Sequence, residues 1–154
     1  MEKSDIRKQV EEFMNIGGQE VKLVPEIPSE SIVRLRANLV IEEVFEMLQS
    51  MFDVGEPNTL EYMRQGLQGV IKEMPVKVDI VEFVDACADI DYVVEGARLA
   101  FGINGKPIAD EVQRTNIAKF GPGSWKDENG KIRKPPDWKP PEILEQLKKQ
   151  GYEP

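Results

Sequence analysis

The sequence predicts an all-α domain, on three observations. Apolar residues recur at helical spacing in several long stretches. Short breaks rich in Gly and Pro separate those stretches. The 154 residues, 40% of them apolar, suffice for one domain with a core that needs no disulfide. The expected architecture is a bundle of four to five main helices, completed by oligomerisation, with an irregular basic C-terminal segment.

The elements follow in chain order. Residues 4–15 form a first helix, with Ser4 or Asp5 as cap and Ile6, Val10, Phe13 and Met14 along one side. Gly17-Gly18 ends it, and Pro25 and Pro28 mark a loop. A long helix starts at Ser29 or Ser31 and runs to about Met51. Gly55-Glu-Pro-Asn breaks it. Asn58 or Thr59 then caps a third helix over 59–73, and Pro75 terminates it. A fourth helix covers Asp79 to Phe101, stopping near Gly102. A fifth starts near Pro107 and continues to Lys119 or Phe120. Beyond it, Asn129-Gly130 is a turn signal for a short β-hairpin. A last amphipathic helix spans about 141–150. A single domain over 1–154 is expected, its core at about 29–120 and its tail at 121–154.

Composition excludes several chemistries. There is no histidine, which removes Ser-His and Cys-His nucleophile systems and His-containing zinc sites. The lone cysteine, Cys87, excludes an internal disulfide, fits a reducing cytoplasm and reads as a core residue. No apolar run reaches the roughly 18 residues that span a bilayer, and the N-terminus lacks a signal-peptide apolar core. The net charge of −8 disfavours binding to a nucleic-acid polymer. Trp125, Trp138 and the methionines at 47, 51, 63 and 74 read as packing residues.

The charge is unevenly placed. Residues 40–100 carry 13 acids and 4 bases, whereas residues 101–154 carry 8 acids and 10 bases. An acidic segment followed by a basic tail suggests a cation and an anionic ligand between them. Glu42, Glu43 and Glu46 stand within an apolar run, spaced to lean over one side of the helix. No Lys or Arg lies between Ala37 and Met63 to pair with them. Asp85 and Asp89, with Glu82 a turn earlier, make a second stripe among Phe83, Val84, Ile90 and Val93. Acidic helix faces are usually just solvated. Two such helices turned inward would instead gather about five carboxylates, an oxygen-only donor set suited to Mg²⁺ or Mn²⁺.

These residues resemble a known superfamily. Glu42-Glu43-x-x-Glu46, followed by a helix with Ala-Asp89-x-x-Tyr-Val-Val, is similar to the all-α nucleoside triphosphate pyrophosphohydrolases. That superfamily includes MazG-like proteins, dimeric dUTPases and phosphoribosyl-ATP pyrophosphohydrolases, and the single-domain MazG-like proteins match best. The resemblance extends from Arg36-x-x-Leu39 through Val112-x-Arg-x-Asn116-x-x-Lys119 to Gly130-Lys131-x-x-Lys134-Pro-Pro-x-Trp138, most of residues 30–142. The superfamily pattern Glu-x-x-Asp puts its Glu on Ala86, so Asp85 is inferred to stand in for it. Glu82-x-x-Asp85 is an alternative register.

The resemblance implies Mg²⁺-dependent hydrolysis of a nucleoside triphosphate between the α and β phosphates, giving a monophosphate and pyrophosphate. Glu42, Glu43, Glu46, Asp85 and Asp89 would hold the metal. Glu42, Glu43, Glu46 and Asp89 would be catalytic, with Glu43 or Glu46 acting on the attacking water. Asn116, Lys119, Lys131, Lys134 and Arg36 would contact the substrate, Arg36 also serving as a candidate partner of the acids. Family members assemble as dimers or tetramers, which implies a homodimer at least. The rival readings are a dUTPase-like or modified-nucleotide hydrolase on the same site, and a non-catalytic acidic helical interaction module.

Overall fold

A computed structural model describes residues 5–127 and 132–154. Among these, the elements in chain order are α1 (Asp5–Ile16), α2 (Glu30–Met51), α3 (Thr59–Glu73), α4 (Ile80–Ala100), α5 (Gly105–Ala118), β1 (Trp125–Lys126), β2 (Ile132–Arg133) and α6 (Ile143–Lys149). The all-α expectation stands, and the short hairpin is present as an antiparallel pair, with Trp125 opposite Arg133 and Lys126 opposite Ile132. The turn at Asn129-Gly130 lies outside the described residues.

Local chemistry sets the helix ends. Asn58 caps α3, its side-chain oxygen accepting from the Glu61 backbone N–H at 3.0 Å. Asp79 does the same for α4, accepting from Val81 at 3.0 Å and Glu82 at 3.2 Å. Gly102, with φ of 70°, ends α4 while Ile103 N–H returns to the Arg98 carbonyl. Helix α5 starts at Gly105, two residues before the expected Pro107. Asn104 caps it through Lys106 N–H at 3.1 Å, leaving Pro107 in the first turn, where no intrahelical N–H is needed. Helix α6 is shorter than expected at both ends.

The chain divides into two compact units. One is Pro25–Val84. Here α2 packs on α3, clamped at both ends. Asn58 Nδ2 donates to Gln49 Oε1 at 2.9 Å. At the other end, Arg34 donates to the carbonyls of Ile71 at 2.5 Å and Met74 at 2.8 Å, satisfying the C-terminal turn of α3.

The second unit is Met1–Val24 with Asp85–Pro154. Helix α1 packs on α5, and α5 on α6. Phe13 meets Phe120 with ring centroids 5.1 Å apart. Gly17, Thr115 and Pro135 are buried here. A Cβ on Gly17 would come within 3.2 Å of the Phe13 carbonyl oxygen and 3.3 Å of the Phe120 ring, so a larger residue would push these neighbours apart by a few tenths of an ångström. Trp138 Nε1 donates to the Thr115 carbonyl at 2.8 Å, so this tryptophan packs as expected.

Several packing expectations fail within the chain. Cys87 is exposed, and so is Trp125, at 60%. Met47, Met51, Met63 and Met74 are also exposed. No large apolar side chain among the described residues is fully buried. Apolar spacing specifies which helix face prefers to leave water. It does not specify whether the same chain supplies the cover.

Candidate active site

The α2 acids lie where the spacing put them. Glu43 and Glu46 are exposed and Glu42 is half-buried, all on two successive turns. Helix α3 brings a further cation, Arg64, near the α2 acids. Arg64 is only 19% exposed, and Glu42 and Glu46 help to raise its pKa. The larger influence is Glu61, which accepts from Arg64 Nε at 2.9 Å and Nη2 at 2.5 Å. Arg64 first, then Gln65, hold the Glu61 carboxyl down at about 2. Arg64 Nη1 donates to Gln68 Oε1 at 2.7 Å.

One turn before Glu42, the Asn38 side-chain oxygen is buried and has no hydrogen-bond partner. A buried acceptor normally finds a donor or a cation. The Asn38 oxygen and the Glu42, Glu43 and Glu46 carboxylates are all oxygen donors, the type that hard cations take. Chemically, these residues fit Mg²⁺. Within neither unit do three or more acidic or cysteine side chains among the described residues already converge on one metal-sized point.

On α4, Asp85 and Asp89 stand one turn apart, and both are exposed. Ala86 occupies the intervening position expected to hold glutamate, and it offers no donor.

The second unit collects most of the basic and polar residues expected to meet substrate. Lys119 Nζ donates to Asn116 Oδ1 at 2.7 Å. Lys134 Nζ lies 3.9 Å, and Lys119 Nζ 5.9 Å, from the centre of the Trp138 ring. The two ammonium groups are therefore at most 9.8 Å apart, since both are measured from one ring centre. A cavity of about 300 Å³ opens beside them, lined by residues including Arg114, Pro122, Pro135 and Trp138. Lys131 falls outside the described residues. Arg36 is on α2, half-exposed, in the other unit.

Sequence reasoning missed Arg64, Glu61 and Asn38. Arg64 is 18 residues beyond Glu46 and becomes a neighbour only through the α2–α3 pairing. Asn38 carried a signal, because it precedes Glu42 by four residues on the same helix side.

A mainly helical frame with carboxylates along α2 agrees with the class that the comparisons show, the nucleotide pyrophosphohydrolases. Residues 10–116, well over half of the chain, match the phosphoribosyl-ATP pyrophosphohydrolase family, and the chain belongs to that family. Its structure is similar to a crystal structure described as a "putative NTP pyrophosphohydrolase" from Exiguobacterium sp. 255-15. The two chains are 25% identical with a TM-score of 0.71, over 97% of this chain and 99% of the other. No curated protein matches the chain.

Proposed function

We propose that this chain hydrolyses a nucleoside triphosphate between the α and β phosphates, with Mg²⁺ as cofactor and Mn²⁺ as a substitute. The α2 ladder of Glu42, Glu43 and Glu46 beside the unpartnered Asn38 oxygen carries this reading, together with the family membership. Glu42, Glu43, Glu46, Asp85 and Asp89 hold the metal, with Asp85 replacing the glutamate missing at Ala86. When bound, Mg²⁺ offsets the phosphate charge that would otherwise be repelled by the carboxylates, and it acidifies bound water.

One of Glu43 and Glu46 orients the attacking water and takes its proton. The water oxygen bonds to the α phosphorus. The bond from that phosphorus to the bridging oxygen breaks, and its electron pair leaves with pyrophosphate. Lys119, Lys131 and Lys134 meet the departing pyrophosphate, with Asn116 bonding a phosphate oxygen. Arg36 provides a further positive charge on the acidic helix.

Both compact units belong to one pyrophosphohydrolase domain, a reading supported by a family match that runs through both. The domain works as a homodimer or higher homo-oligomer in the cytoplasm. Helix α4 supports assembly: Val81, Phe83, Val84, Tyr92, Val93 and Leu99 are all more than half exposed. A helix this apolar needs a cover.

The test is pyrophosphate release by the purified protein with Mg²⁺, across the common ribo- and deoxyribonucleoside triphosphates and dUTP, beside Asp89→Ala. The expected result is pyrophosphate from a subset of substrates, lost in the variant. Full activity in Asp89→Ala or Glu46→Ala would overturn the site assignment. No release with either metal would favour the non-catalytic module.

A further inference from the structure

Arg64 lies level with the acidic stripe of α2. The α2–α3 pair is clamped at Gln49–Asn58 and at Arg34 with the Ile71 and Met74 carbonyls. Both helices rise about 1.5 Å per residue. Six residues beyond Asn58, Arg64 therefore sits opposite residues 42 and 43 of the antiparallel partner, and Glu61 sits opposite Glu46. Arg64 is held rather than mobile. Glu61 grips Nε and Nη2, and Gln68 takes Nη1. An arginine has five N–H donors. Among the described residues three are used, which leaves one on each terminal nitrogen.

A guanidinium oriented through one edge, with N–H groups to spare and carboxylates at its level, is built to receive an anion that arrives with a metal ion. We propose that Arg64 contacts the triphosphate of the bound nucleotide, and that Glu61 and Gln68 position it to do so. This rests on the pyrophosphohydrolase site proposed above. Its consequence is a split in sign: Arg64 opposes binding of a bare cation and favours binding of the nucleotide.

The test measures two affinities by calorimetry on the full chain, for Mn²⁺ alone and for a non-hydrolysable α,β-methylene triphosphate in saturating Mn²⁺. Arg64→Gln is expected to tighten Mn²⁺ binding by about two- to fivefold, through removal of a nearby positive charge. It is expected to weaken the nucleotide analogue by roughly ten- to a hundredfold, the range for a lost charged hydrogen bond. Arg64→Lys keeps the charge and loses the planar fork, so its Mn²⁺ affinity stays at the parent value while analogue binding still weakens. If Arg64→Gln loses helical circular dichroism, the lysine variant decides alone.

Analogue affinity that is unchanged or tighter in the deciding variant would overturn the proposal, leaving Arg64 as a local charge balance. Glu46→Gln separates this failure from that of the underlying reading. If Glu46→Gln leaves Mn²⁺ affinity unchanged, α2 is not a metal helix and the site reading falls with the proposal. If it weakens Mn²⁺ while Arg64 variants leave the analogue unaffected, only the Arg64 contact is lost.

Discussion

Trp138 donates its indole N–H to the main-chain carbonyl of Thr115 at 2.8 Å, and Thr115 is just 2% exposed. This bond ties the C-terminal segment to the last turn of α5. It also places the indole under Lys134 and near Lys119. Replacing Trp138 with Phe keeps most of the ring and leaves the Thr115 carbonyl unpaired. The expected loss is about 1–3 kcal/mol in urea denaturation. Substrate KM should rise as the lysine cluster loses its platform.

Arg34 offers a second stability test. It donates to two carbonyls at the end of α3 and pairs with Glu30. Arg34→Met removes those donors but keeps much of the aliphatic stem. A loss of about 1–2 kcal/mol is expected. Amide exchange should rise most in the last turn of α3, which hydrogen-exchange mass spectrometry reads directly.

Acid stability should depend on Glu111. Arg114, then the Glu142 backbone N–H, hold its carboxyl down at about 2 from an ordinary value of 4.5. A carboxyl depressed in the folded state stabilises it fully above about 4.5, and that contribution fades as pH falls toward 2. Glu111→Gln should therefore lower Tm at neutral pH and flatten its decline between pH 4.5 and 2. A Tm profile parallel to the parent's would exclude this linkage.

Metal removal tests the cofactor without any variant. EDTA should abolish pyrophosphate release, and Mg²⁺ or Mn²⁺ should restore it. Because a ligand bound only by the native state stabilises it, Mn²⁺ at a hundred times its Kd should add about 2.7 kcal/mol. Glu46→Gln should lose most of that gain in a thermal melt.

Assembly is tested by sedimentation. With Val93 64% and Tyr92 81% exposed on α4, a charge placed there should disfavour any interface that covers the helix. Val93→Lys is expected to shift the protein toward monomer at micromolar concentration while keeping its helical signal. An unchanged sedimentation coefficient would place the interface elsewhere.

The helices were legible in the sequence because their signals are local. Asn58 and Asp79 cap where short polar side chains precede an apolar run, and Gly102 stops α4 where a left-handed residue is needed. Pro107 signals the start of α5 two residues late, because Asn104 is the cap. Cys87, on the apolar side of its helix, reads as core and Trp125 as a packing residue, yet both are exposed. Hydrophobicity measures a preference for burial, and the partner surface decides whether that preference is met.

The sequence by itself determined the helical class and the spacing of Glu42, Glu43 and Glu46. It also determined the missing donor at Ala86 and the absence of imidazole chemistry, since each is a matter of residue type or of intervals within one helix. Only the tertiary structure decided that Arg64, held by Glu61, feels the charge of Glu42 and Glu46, that Lys119 and Lys134 share one indole, and that the Asn38 oxygen is left without a donor. Those relationships join residues through helix register and side-chain packing. Register follows from contacts at both ends of a helix pair, and no short window of sequence contains both ends.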